Sequence, residues 1–310
     1  MAAYLRKRLL VAVPVVFGVV TVVFSLVHVL PGDPVDALLG QAARPADRIE
    51  LRHRLGLDRP LAQQYAAFVG GLLRGDLGRS LTRGVPVSRL IAERLPATAV
   101  LAAAGLAISL FIGIPLGVLA AARPASAVDR LGLSASLLGV AMPNFWLGPT
   151  LALVFAVRLA WLPLAGSGSP AHLVLPALTL GTSAAGILAR ITRASVLEVL
   201  HEDWIQTARA KGLSETAVLV RHGLANALVP IISVAGLELG GLLAGSIITE
   251  TIFAWPGIGR LLVEAITARD YPVVQGCVLV IAIGYVLVNL LTDLAYAWAD
   301  PRVRYGEVDG

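Results

Sequence analysis

The sequence predicts an all-α integral membrane protein with six transmembrane helices and a small folded insertion after the first. Of its 310 residues, 57% are hydrophobic and only 15% are charged, and the mean hydropathy is +0.79. These values lie outside the range of soluble globular domains. The apolar residues also fall into uncharged runs long enough to cross a bilayer at 1.5 Å per residue.

The first run, Leu9 to Leu30, follows Arg6-Lys7-Arg8 and holds 22 residues without a charge. A signal peptide would have a shorter apolar core and a small-residue cleavage site, so a retained first span is expected, with residues 1–30 as one unit. Residues 31–96 are a polar insertion with 10 Arg and 7 acidic residues. Helical patterns run from Ala46 to Leu55 and from Leu61 to Leu73, which predicts a small folded cap. A five-helix core over residues 97–298 follows, and residues 299–310 form a tail.

Within the core, the second span is Ala97 to Ala122, where Gly113 and Gly117 have the spacing that lets helices approach closely. The third is Leu131 to Val157, kinked at Pro143-Asn144. Pro163, Gly166, Gly168 and Pro170 mark a turn before the fourth, about His172 to Ala189. The fifth, Val229 to Thr249, carries Gly236, Gly240, Gly241 and Gly245, a pattern suited to close packing and to movement. The sixth is Val273 to Trp298.

Six spans place both termini on one side. The short loops on that side and the termini carry twelve Arg and Lys, including Arg123, Arg130, Arg302 and Arg304, against three opposite, Arg158, Arg260 and Arg269. The positive-inside rule therefore puts the termini in the cytoplasm, with the long insertion outside because long loops translocate largely regardless of charge. The net charge of +5 is spread between apolar spans and aromatics are 6%, which speaks against nucleic-acid binding. The single cysteine, Cys277, lies inside an apolar span and excludes a disulfide framework.

The loop of residues 194–228 between the fourth and fifth spans overlaps a polar and basic segment, Asp203 to Pro230, that runs into the start of the fifth. Gly212 can end one short helix in a left-handed conformation, and Ser214 can cap the next with Glu215 in its first turn. The result is a bent elbow. Small residues and two cations, Arg209 and Lys211, suit it to docking on another protein, and an ordinary solvated loop is the competing reading.

Enzymatic machinery is missing from the pattern. Neither lysine, Lys7 or Lys211, ends a G-x-x-x-x-G-K-[ST] phosphate loop. His201-Glu202 starts a zinc-protease pattern that fails at Ile205, and no G-x-S-x-G elbow occurs. Polar groups in or near spans are functional candidates because acids are costly there. Glu238, in mid-span, reads as lining a translocation path or as a buried acid paired with a neighbour. Ser246 and Glu250 extend the same candidate path, although Glu250 also reads as a holder of the Phe253 to Gly257 turn. Asn144 offers an amide to cargo or to another helix, and Asp293 reads as an arginine partner.

The elbow resembles the EAA loop of ABC importer permeases. Gln206-Thr207-Ala208, three residues and Gly212 follow the family frame, with Gln in place of Glu and with Val229-Pro230 farther from the glycine than usual. Both departures resemble the peptide and nickel branch. So do LPGDP at Leu30 to Pro34, LGLDRPLAQQY at Leu55 to Tyr65, GDLGRS at Gly75 to Ser80, FAWPGIGR at Phe253 to Arg260 and RDYPVVQG at Arg269 to Gly276.

The resemblance implies a type I importer fold and the role of first of two permeases in a prokaryotic inner membrane. It implies a second homologous permease, two ATP-binding cassette ATPases that use ATP and Mg, and an extracytoplasmic binding protein. This chain would bind no cofactor or metal. The coupling residues implied are Asp203, Gln206, Thr207, Ala208, Arg209, Ala210, Lys211, Gly212, Leu213 and Ser214. As the only large extracytoplasmic piece, the insertion is expected to receive the binding protein, with Arg52, Gln64 and Arg83 as docking candidates. The stretch Arg190 to Gly212 resembles dipeptide and glutathione permeases, whereas Ala141 to Trp146 also resembles nickel permeases. An ion-coupled secondary transporter is the rival class, and it would need coupling acids and broken-helix repeats.

Overall fold

The computed structural model describes residues 2–29, 35, 44–54 and 56–299. The motif at Leu30 to Pro34 and the tail cations Arg302 and Arg304 lie outside them. Among the described residues, the α-helical segments with defined bounds are, in order, α1 (Ala2–Val29), α2 (Pro45–Arg54), α3 (Leu61–Leu73), α4 (Val87–Ala122), α5 (Ala127–Ala141), α6 (Asn144–Leu151), α7 (Ala171–Leu200), α8 (Asp203–Ala210), α9 (Glu215–Ala217), α10 (Leu228–Ile252), α11 (Ile258–Thr267) and α12 (Tyr271–Ala299). Wider π-helical turns continue α6 through Ala152–Arg158 and α9 through Val218–Leu224.

Among the described residues, four helices are long and apolar enough to cross a membrane: α4, α7, α10 and the Tyr271–Ala295 part of α12. A fifth apolar unit, expected as a single kinked span from Leu131 to Val157, is instead broken, and its halves α5 and α6 meet at 102°. The cause is local. Met142 precedes a proline, which disfavours its helical conformation, and Met142 and Pro143 both sit at extended ψ values, 112° and 143°. The apolar part of α1, Leu10–Ser25, is shorter than the other candidate spans.

Two further boundaries differ from expectation. The division at residue 96 falls inside α4, which begins at Val87, and α7 runs eleven residues past Ala189 to Leu200. Helix α4 packs most extensively on α7. Small residues make this possible, because a Cβ at Gly117 would lie 2.6 Å from the Ala189 carbonyl oxygen and one at Gly113 would lie 2.9 Å from that of Ala185. The glycines of α10 divide between two roles. Gly236 and Gly240 press against Thr292 and Tyr285 of α12, whereas a Cβ at Gly241 would meet nothing within 4 Å.

Helix α1 joins the bundle through α12, where Arg8 pairs with Asp293 at 3.2 Å, the partner type expected for that acid. Helix α3 lies against α1. Thr21 and Tyr65 share a 2.8 Å hydrogen bond, and the Phe24 ring meets that of Tyr65 edge-on at 5.2 Å.

Candidate functional site

The elbow has the two-helix form expected. Helix α8 ends in a Schellman motif. The Gly212 N–H donates to the Arg209 carbonyl at 2.9 Å and the Leu213 N–H to that of Ala208 at 3.4 Å, with Gly212 at φ +82°. Ser214 then caps α9, its Oγ accepting from the Ala217 N–H at 3.3 Å. Asp203, Gln206, Thr207, Arg209, Ala210, Lys211, Gly212, Leu213 and Ser214 are all exposed, so the bend is a continuous surface.

Two expectations change. Ala208 is buried with Ile205 on the inner face of α8, so Ala210 is the small residue that faces outward. Arg209 is also engaged, its Nε donating to Glu215 Oε1 at 2.9 Å across the break. Lys211 has no such pair among the described residues. Fully buried Val196 of α7 and Val218 of the π turn anchor the elbow to the bundle.

At this end of the bundle, Asp129 and Arg193 form a pair that sequence reasoning missed. Arg193 Nε and Nη2 donate to the two carboxylate oxygens at 2.5 and 2.7 Å, and Asp129 Oδ2 also accepts from the Ala125 N–H at 2.9 Å. The Ser126-x-x-Asp129 spacing, a helix-start signature, was the available signal.

The four candidate path residues separate into two places. Asn144 and Glu238 line one cavity of about 180 Å³ together with Leu180, Ser183, Ala184, Gly241, Leu242 and Gly245. Ser246 and Glu250 do not reach it. Ser246 is buried and donates to the Leu243 carbonyl. Glu250, fully buried, accepts from Thr98 Oγ1 at 2.7 Å and from the Arg260 N–H at 3.0 Å, and Gly257 and Gly259 leave room for its carboxylate. The Trp255 indole N–H donates to the Ala97 carbonyl at 2.8 Å. Glu250 therefore fastens the FAWPGIGR turn to α4, the alternative reading of that acid, and Ser246 and Glu250 stand apart from the cavity that Asn144 and Glu238 line.

A third cluster ties the insertion to the loop before α12. Buried Asp270 accepts hydrogen bonds from Ser80 Oγ at 2.6 Å, the Leu81 N–H at 3.0 Å, the Thr82 N–H at 3.1 Å and Thr82 Oγ1 at 2.7 Å. Burial pushes its carboxyl upward, and these donors outweigh burial and hold it below the ordinary value of 3.8. Arg83 is occupied by Glu264 at 3.0 Å, and Gln64 donates to the Arg59 carbonyl at 2.8 Å. Arg52 is exposed on α2. The three docking candidates thus sit on separate pieces of the insertion.

Long apolar helices joined by an exposed, capped elbow, with a half-open polar cavity between α6, α7 and α10, are the architecture of a helical membrane protein. The chain belongs to the family described as binding-protein-dependent transport system inner membrane component, whose model matches residues 113–305, with the family's N-terminal model matching residues 1–102.

It is 43% identical over 305 residues to the glutathione transport system permease protein GsiC of Pectobacterium atrosepticum, covering 98% of this chain and 100% of that one. It is 41% identical over 333 residues to the dipeptide transport system permease protein DppB of Alkalihalophilus pseudofirmus, covering 98% and 100%. The fold is similar to that of the inward-facing MetNI methionine ABC transporter, with a TM-score of 0.56 at 19% identity over 68% of this chain and 96% of that one. The chain is a multi-pass inner-membrane permease.

Proposed function

We propose that this chain is the first of two permease subunits of an ATP-driven importer of short peptides, di- or oligopeptides or glutathione-like molecules, delivered by an extracytoplasmic binding protein. The observation that carries this reading is the likeness over 98% of the chain to permeases named for glutathione and dipeptide transport. Six spans follow if α1 crosses and the bent pair α5 and α6 counts as one, which puts both termini and the elbow in the cytoplasm.

The elbow is then the coupling element. Exposed Gln206, Thr207, Ala210, Lys211, Gly212 and Leu213 enter a groove on one of two ATPase subunits, which use ATP and Mg. The Schellman turn and the Arg209–Glu215 pair keep the elbow stiff enough to transmit a push to α7 and α10. ATP binding drives the elbows together and opens the path outward, and hydrolysis resets it. The chain itself carries no covalent chemistry.

The test is reconstitution with the cognate permease, ATPases and binding protein. ATP-dependent, binding-protein-dependent uptake of labelled dipeptide or glutathione is expected. Uptake driven by an ion gradient without ATP would overturn the reading, and selective uptake of nickel would redirect the cargo assignment.

A further inference from the structure

The cavity between α6, α7 and α10 contains three polar side chains, the Asn144 amide, the Ser183 hydroxyl and the Glu238 carboxylate, and none of them has a hydrogen bond or ion pair within the described chain. Glu238 lies near the middle of an apolar helix, where an acid without a partner is costly. No Arg, Lys or His lines the cavity to offset it. The remaining walls are Leu180, Ala184 and Leu242, all buried, and two glycines that leave the space open. A Cβ at Gly241 would meet nothing within 4 Å, and one at Gly245 would have its nearest neighbours, Asn144 Nδ2 and Leu180, at 3.9 Å. At about 180 Å³ the cavity is far larger than the ~10–15 Å³ that holds one water.

We propose that this cavity receives the primary ammonium group of a short peptide in transit, with Glu238 as its counter-charge and Asn144 and Ser183 as neutral acceptors. The proposal rests on the peptide-permease reading above and adds where, and by which chemical group, the cargo is met. The match is stereochemical as well as electrostatic. A primary ammonium carries three N–H donors and no acceptor, and the cavity offers a carboxylate, an amide oxygen and a hydroxyl oxygen.

A transition-metal cation fits less well. The lining holds no imidazole or thiolate, which such metals prefer, and no cluster of three His, Cys, Asp or Glu suited to a metal exists among the described residues. Apolar walls around a single carboxylate strengthen its attraction for a cation, and the neutral partners keep that attraction weak enough for release.

The experiment uses the complete complex in proteoliposomes, with Gly241→Cys as reporter, since the added side chain enters open space. The native Cys277 is fully buried, and the parent complex supplies its labelling blank. A cationic methanethiosulfonate reagent is expected to modify the reporter at least tenfold faster than an anionic one, and Glu238→Gln is expected to abolish that preference. A free-amine dipeptide should slow the cationic reagent several-fold, whereas its N-acetylated counterpart and nickel chloride should not.

Equal rates for the two reagents, a preference that survives Glu238→Gln, or protection by nickel in place of the dipeptide would overturn the proposal. Absence of labelling at both Gly241→Cys and a second reporter, Gly245→Cys, would do the same. Peptide uptake by the wild-type complex, measured in the same vesicles, separates failure of this site from failure of the peptide-permease reading.

Discussion

Arg193 on α7 grips Asp129 on α5 with two parallel hydrogen bonds, joining residues 64 apart in sequence at the elbow end of the bundle. The Asp129 side chain is 3% exposed and that of Arg193 24%, so water competes weakly for the pair. Hydrogen bonds between charged partners are stronger than neutral ones, and the two-pronged geometry fixes their direction. Arg193→Ala leaves the Asp129 carboxylate without its partner and should lower the melting temperature, whereas replacing both residues with apolar ones of similar size should recover much of the loss. Thermal unfolding of the single and double variants in one detergent provides the measurement.

Helix α4 tolerates no side chain at Gly117, where a Cβ would meet the backbone of α7, whereas Gly241 faces open space. Gly117→Ala should therefore cost about 1–3 kcal/mol through overpacking. Gly241→Ala should be neutral or slightly stabilising, because alanine favours a helix by about 1 kcal/mol over glycine. A melting temperature for Gly117→Ala equal to that of Gly241→Ala would disprove the close approach of α4 and α7.

At Gly212 the constraint is conformational, since φ is +82° and nothing crowds the position. A β-branched residue there costs roughly 1–2 kcal/mol and should unwind the turn. Gly212→Val is expected to insert normally yet lose most cargo-stimulated ATP hydrolysis and uptake in the reconstituted complex. A bulky residue at the exposed Ala210 should do the same, whereas bulk at buried Ala208 should first lower stability. Full stimulated hydrolysis and uptake by Gly212→Val would show that the elbow is an ordinary loop.

Asp270 makes stability depend on acid pH. Its carboxyl is held below 3.8 in the folded protein, so its contribution is complete above that value and is lost as pH falls through the lower folded value. Asp270→Asn should lower stability by about 1–3 kcal/mol at neutral pH, since it weakens the acceptor of four donors. The gap in melting temperature between wild type and variant should stay constant from pH 7 to about pH 4 and narrow below it. A gap that widened on acidification would contradict the assigned sign.

Much of this molecule was determined by sequence alone. Uncharged runs longer than 20 residues have few ways to satisfy their backbone polar groups in lipid, so helices were dictated. Gly212 and Ser214 specify their turn and cap through properties of a single residue, and the elbow could be read accordingly. Small-x-x-x-small spacing likewise signalled the close approach at Gly113 and Gly117.

Tertiary structure decided which polar side chains meet. Asp270 and Ser80, separated by 190 positions, and Glu250 and Thr98, by 152, become partners only when loops from different helices converge. No local pattern encodes such a meeting. The same holds for Glu238 and Glu250, two acids on one apolar helix that share a sequence signal and differ in fate. Thr98 and the Arg260 N–H satisfy Glu250, whereas the rotation of α10 turns Glu238 into a cavity where it has no partner among the described residues. Periodicity says that a helix forms, and the packing of its neighbours determines what each of its side chains faces.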